Sequence, residues 1–261
     1  MAPAPLGIHP TSLVDPAAKL GPGVSVGPYS IIGPYVEIGE GTEIGAHCVV
    51  VGHTRLGKKN RVFTGAVVGS EPQDVKFQGE TTFLEIGDEN IIREYATLNP
   101  GTGEGSKTVI GNRNWIMIQA HVGHNCVIQD DVKLANGVML GGHAVIEDHA
   151  TVGGGTPVHQ FVRIGRFAMI GGGFRVVQDI VPYMIAGDEP LKIYGVNQVG
   201  LERNGFSKDS IEALKQAHKI IFRKNLTLKE AMAALKTELP GSAEVGQILE
   251  FLALATRGIV R

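Results

Sequence analysis

Lys19-Leu20-Gly21-Pro22-Gly23-Val24-Ser25-Val26-Gly27-Pro28-Tyr29-Ser30-Ile31-Ile32-Gly33-Pro34-Tyr35-Val36-Glu37-Ile38-Gly39 places an aliphatic residue at 20, 26, 32 and 38, each followed by glycine. A six-residue period belongs neither to the α-helix, at 3.6, nor to the simple strand, at 2. Extended in both directions, the series runs from Ile8 to Val176. Of the 29 positions at this spacing, only Asp74, Glu80 and Glu104 are not Ile, Leu or Val. The physical reading is a short strand and a tight corner every six residues, with the aliphatic side chain turned to a common axis. Three such sides close a triangular coil, which sets Leu20 over Ile38 and Val26 over Ile44. Coils then stack at the strand spacing, about 4.8 Å. The sequence predicts a mainly β protein built as a parallel β-helix.

Two polar, turn-rich stretches interrupt the series. Residues 69–85 hold Gly69-Ser70-Glu71-Pro72-Gln73-Asp74-Val75-Lys76, and residues 99–109 hold Asn99-Pro100-Gly101-Thr102-Gly103-Glu104-Gly105-Ser106. Both are expected to leave the wall as loops, and loops on a rigid scaffold commonly carry function. The solenoid is assigned to residues 1–190. Its pattern fails at Pro182, and 191–261 is assigned to a connector and a small α-helical domain. Ser207 caps a helix over 208–223, with Ile211, Leu214, Ala217, His218 and Ile221 on one stripe. Thr227-Leu228-Lys229-Glu230 is a capping box for a second helix ending before Pro240. A third is expected over 243–256. Together they cap one end of the solenoid.

Composition narrows the function. The chain has 261 residues, 36 of them glycine, with 43% hydrophobic residues and a net charge of −2. It can bury a core, so disorder is excluded. The charge gives no electrostatic reason to bind nucleic acid. No apolar run reaches the length of a membrane span. Met1-Ala2-Pro3-Ala4-Pro5 has neither the basic nor the apolar segment of a signal peptide, and a cytoplasmic location is expected. Cys48 and Cys126 lie at least three coils apart, roughly 15 Å. That is beyond the ~7 Å a disulfide spans, so both are expected as buried thiols. Gly52-His53-Thr54-Arg55-Leu56-Gly57-Lys58-Lys59 approaches a phosphate-binding loop but lacks its Ser or Thr.

The histidines carry more. Stepping by 18 aligns His124 with Gly142 and Gln160, Asn125 with His143, and Gly141 with His159, while His121 precedes on the same strand. Four histidines thus converge on one edge. Such a cluster can serve as a zinc site or supply a general base that takes a proton from a hydroxyl attacking a carbonyl. No Ser-His-Asp order or reactive cysteine motif is present, which favours direct transfer over a covalent intermediate. A second column, Asn136, Gly154 and Gly172, leaves a line with little side chain along it. It reads equally as corner glycines or as a groove for an extended acyl chain.

The hexad with its trailing glycine resembles the hexapeptide-repeat acyltransferases, and this resemblance implies that the β-helix is left-handed. A more specific set lies along the whole chain: Gln73-Asp74-x-Lys76, Ala120-His121-x-x-His124, Leu134-Ala135-Asn136, Gly142-His143, Val158-His159-Gln160-Phe161, Gly195-Val196-Asn197 and Thr256-Arg257-Gly258. It is similar to the UDP-N-acetylglucosamine O-acyltransferase family of lipid A biosynthesis. The resemblance implies transfer of an (R)-3-hydroxyacyl chain from acyl carrier protein, through its phosphopantetheine, to the 3-position of the UDP-sugar. It implies no cofactor and no metal, and a homotrimer with its sites between subunits. Carried over by position, His124 is the general base and the Gly142 N–H the oxyanion donor. Gln73, Asp74, Lys76, His121, Asn136, His143, His159 and Gln160 line the substrates. Asn197 and Arg203 reach the nucleotide, and Gly154 and Gly172 belong to the acyl groove, Gly172 marking its end. The sequence departs from the family at Asn125, commonly Asp; at Asn99, often His; and at Val199 and Asn204, where charged residues are usual. These departures leave open transfer to a 3-amino UDP-sugar with amide formation, and the histidine cluster leaves open a zinc-binding solenoid such as a γ-type carbonic anhydrase.

Overall fold

The computed structural model describes residues 7–261; the reading of Met1–Pro5 lies outside them. Among the described residues, the chain winds into a left-handed parallel β-helix of three sheets. Face one begins with Leu13–Val14 and ends with Pro157–Val158, face two runs from Lys19–Leu20 to Arg163–Ile164, and face three from Ser25–Val26 to Met169–Ile170. Most strands are two residues long, and within the regular coils each pairs with the strand one coil on, as Leu13 does with Ile31 and Val145 with Arg163. The second residue of a strand points inward. Ile32, Leu98, Ile116, Val122, Leu134 and Ile170 are at most 1% exposed, which accounts for the six-residue period.

The two insertions keep the frame. Leu56 pairs with Ile86 and Ile86 with Ile110, so the first loop lengthens its coil by two hexads and the second by one. Both loops are shorter than expected. Phe83–Ile86 and Lys107–Ile110 are four-residue strands, so the loops proper are 69–82 and 99–106. The extra strand residues pair with their neighbours, Leu84 with Thr54 and Thr108, and Leu84 and Thr108 are buried.

The solenoid also does not stop at Pro182. Met184–Gly187 adds a strand to face three, and Lys192–Val196 turns back antiparallel against it. The boundary expected at residue 190 therefore falls in the turn of a hairpin. Four helices follow: α1 (Gln198–Arg203), α2 (Lys208–Arg223), α3 (Leu228–Glu238) and α4 (Ala243–Ala253). Ser207 caps α2, and the Thr227–Glu230 capping box opens α3. Helix α4 ends short of the expected 256, because the chain turns there to pair Ile259 with Asp179. Helix α1 has no counterpart in the sequence reading. Tyr183, almost fully buried, donates its hydroxyl to Gln247, joining the last coil to α4. Cys48 and Cys126 are buried free thiols, and burial pushes the Cys126 thiol up to about 12.

Candidate active site

Both loops and the histidines lie at one corner, where face one passes into face two. Successive coils contribute 69–82, 99–106, 123–126, 141–144 and 159–162 to it. The rigid coil stack positions these side chains, and the corner backbone aims them. Asn125 and His143 are left-handed, with φ of 59° and 61°. Asparagine adopts that conformation more readily than most residues.

His124 is the centre of the group. Its Nδ1 lies 2.8 Å from Asn125 Oδ1, its Nε2 is 3.8 Å from Asp74 Oδ2, and its ring meets that of His143 edge-on at 5.2 Å. The ring lies over Gly142, where a Cβ would overlap it, so the ring keeps this place only over a glycine. The coil itself does not use the N–H at this corner position. The equivalent residues at this corner in the first coils, Pro16 and Pro34, have none. The Gly142 N–H is thus available to a ligand beside the His124 ring.

The surrounding groups fix the charge. Asp74 Oδ1 accepts the Lys76 N–H at 3.0 Å in a turn within the loop, which leaves Oδ2 facing His124. His121 Nδ1 is 2.8 Å from Thr97 Oγ1. Desolvation lowers the pKa of His121, and the nearby His124 lowers it further. His143 is lowered by the same two causes in the same order, opposed by the Asp74 carboxylate. Its ring stacks on Phe161 at 4.6 Å. Both flanking imidazoles are thereby held toward the neutral, hydrogen-bonding form.

Three of the four clustered histidines therefore meet. His159 is one coil further along the same edge, with Nδ1 3.1 Å from the Gln160 carbonyl. Gln73, Lys76 and Gln160 are exposed around the site. The remaining predicted residues lie on other edges. Asn136, Gly154 and Gly172 turn the corner from face three to face one. Asn197 caps α1 and donates its Nδ2 to Phe167 O at 2.9 Å, at the corner from face two to face three, and Arg203 ends the same helix, exposed. One chain brings neither group to His124. Gly172 also has a structural reason to be glycine: a Cβ there would stand 2.9 Å from Gly154 O in the coil beneath. Thr97, Thr102 and the stacking of Phe161 on His143 escape sequence reasoning, whereas Asn125 holds the His124 ring as a neutral amide can. The second loop lengthens the step from Thr97 to its partner His121 by one hexad, so a regular stride passes it by.

The sequence matches the bacterial transferase hexapeptide (six repeats) family at 17–52 and 107–142, and "Udp N-acetylglucosamine O-acyltransferase; Domain 2" at 179–260. It is 49% identical to the acyl-[acyl-carrier-protein]–UDP-N-acetylglucosamine O-acyltransferase of Thiobacillus denitrificans, over 97% of this chain and 99% of that one. The enzyme of the same name from Myxococcus xanthus is 48% identical over the same shares. Among solved structures, the UDP-N-acetylglucosamine O-acyltransferase of Moraxella catarrhalis superposes with a TM-score of 0.94 at 39% identity, covering 97% of this chain and 99% of that one.

Proposed function

The chain belongs to the acyl-[acyl-carrier-protein]–UDP-N-acetylglucosamine O-acyltransferases, and from this premise we propose how its histidine corner carries out the transfer. The enzyme moves an acyl chain from acyl carrier protein to a hydroxyl of UDP-N-acetylglucosamine. The chain moved is an (R)-3-hydroxyacyl group, held as a thioester on phosphopantetheine, and the acceptor is the 3-hydroxyl. His124 Nε2 takes the hydroxyl proton as the oxygen attacks the thioester carbonyl. The carbonyl oxygen gains charge and is met by the Gly142 N–H. The C–S bond then breaks, and the departing thiolate recovers the proton from His124. The imidazolium formed between these steps has the Asp74 carboxylate 3.8 Å from Nε2 as its counter-charge. That carboxylate carries the reading. Asn125 is neutral and cannot stabilise an imidazolium as a carboxylate would, but Asp74 can, and this supports a hydroxyl acceptor, whose attack needs a full proton transfer, over a 3-amino sugar.

The working unit is a homotrimer. The acyl-groove residues Asn136, Gly154 and Gly172 and the nucleotide residues Asn197 and Arg203 lie on edges away from His124, so neighbouring copies must bring them to the corner. Gln73, Lys76, His121, His143, His159 and Gln160 line the substrates beside the base. The reaction uses no cofactor and no metal. Its steps need only proton transfer through His124 and a hydrogen bond from the Gly142 N–H, both supplied by the described residues. Among those residues no helix is long and apolar enough to cross a membrane, and we place the reaction in the cytoplasm.

The test is purified His124→Ala with a panel of 3-hydroxyacyl carrier proteins and both UDP-sugars, read by mass spectrometry. Turnover should fall by at least about 10²-fold, with the oligomer and melting temperature near wild type. Retention of more than a tenth of the activity overturns the assignment.

A further inference from the structure

The three residues that break the hexad, Asp74, Glu80 and Glu104, all fall in the two corner loops. Asp74 faces His124. The other two hold the loops to each other. Glu80 Oε1 accepts the Gly103 N–H at 2.9 Å, while its Oε2 accepts the Gln78 N–H at 2.7 Å within its own loop. Glu104 Oε2 reciprocates by accepting the Thr81 N–H at 3.0 Å. The Gly105 N–H adds a backbone bond to Thr81 O at 2.8 Å. Beside Gly103, the Thr102 N–H donates to Asn125 Oδ1 at 2.9 Å, the same oxygen that meets His124 Nδ1 at 2.8 Å.

A carboxamide has an accepting end and a donating end, and these are assigned from their partners. A backbone N–H can only donate. Thr102 therefore requires the oxygen of Asn125 at this point, and that oxygen requires a hydrogen on His124 Nδ1. The lone pair is left on Nε2, the nitrogen that faces Asp74. A carboxylate at 125 would accept through either oxygen and would need no outside group to orient it.

We infer that loop 99–106, locked to loop 69–82 by Glu80 and Glu104, sets the tautomer of His124 through Thr102 and Asn125. Glu80 and Glu104 are positioning residues for the transfer. This rests on His124 as the base, so one arm of the test is independent of activity. Ring ¹⁵N spectra of His124 should show the Nδ1–H tautomer in the wild type and a shift toward Nε2–H in Glu80→Ala and in Thr102→Pro. An unchanged ring spectrum in both variants overturns the inference, whatever His124→Ala does to the rate. In the kinetic arm, Glu80→Ala should lower kcat about tenfold, with KM for both substrates within about twofold, as expected for partial loss of a general base. Placed on Asn125→Asp, with that variant's own rate as reference, the same change should cost less than about twofold, since coupled residues are non-additive. Equal losses in the two backgrounds would reduce Glu80 to a loop staple and overturn the relay. Glu104→Gln keeps an oxygen for the Thr81 N–H and should retain the rate that Glu104→Ala loses.

Discussion

The ring of His124 occupies the place that a side chain on Gly142 would fill in the next coil. The two residues stand one turn of the solenoid apart, and the fit of ring against bare backbone puts a base and a free N–H side by side. Gly142→Ala should displace the ring and lower kcat by at least about 10²-fold, the scale of losing an oxyanion donor or a base. The coil should remain intact, because an ordinary L-residue backbone is present at this corner. Steady-state rates with a thermal melt check this. A variant with near-wild-type kcat would mean that the base approaches the substrate in another pose.

The flanking histidines make a prediction about pH and stability. Burial holds the pKa of His121 and His143 below the unfolded value of about 6.5. Between the folded and unfolded values the unfolded chain binds more protons, so stability rises with pH there and is lost as pH falls below about 6.5. His121→Gln removes one of the two groups and should flatten that loss. Denaturant unfolding of both proteins across pH 7 to 5 measures it. Parallel curves would show that His121 takes its proton as readily in the fold as out of it.

Thiol chemistry should be silent in the native state. With Cys126 pushed up to about 12 and Cys48 raised by burial, thiolate is scarce at either position. An aromatic disulfide reagent at pH 8 should modify neither cysteine in the folded protein and both after denaturation. Rapid native labelling would show that the corner carrying Cys126 opens.

The acyl groove is tested at Gly172. Gly172→Ala adds only the Cβ that stands 2.9 Å from Gly154 O and should lower the melting temperature slightly. Gly172→Met adds an apolar arm across the line as well. If the groove ends here, it should shift donor preference toward shorter chains relative to Gly172→Ala, by roughly one coil of 4.8 Å. Competition among donors of ten to sixteen carbons decides it. The same chain-length order in both variants leaves Gly172 as a stacking glycine.

Much of this architecture is written in single residues. The inward aliphatics and corner glycines announce the coil, and Asp74, Glu80 and Glu104 mark the loops, because a charged side chain cannot replace an axis residue. The hairpin of Met184–Gly187 and Lys192–Val196 is hidden because its strands leave the six-residue period. Helix α1 is hidden because six residues with Gly200 among them carry little periodicity. The link from Thr102 to Asn125 is invisible for a different reason. Its donor is a backbone N–H, which every residue but proline has, so no side chain signals it. Thr97 is lost to arithmetic, since the second loop adds a hexad to the coil.

A parallel ladder has no natural last rung. Every coil of the solenoid offers unpaired amides and carbonyls to whatever comes next, and an uncovered edge of this kind invites another molecule to continue it. Here the hairpin reverses direction against face three and the helices close over the end, so the polymer that the repeat would otherwise specify stops at the end of its own chain. The reversal at Lys192–Val196, with α2 packed against it, thus withholds the edge of face three from a further molecule.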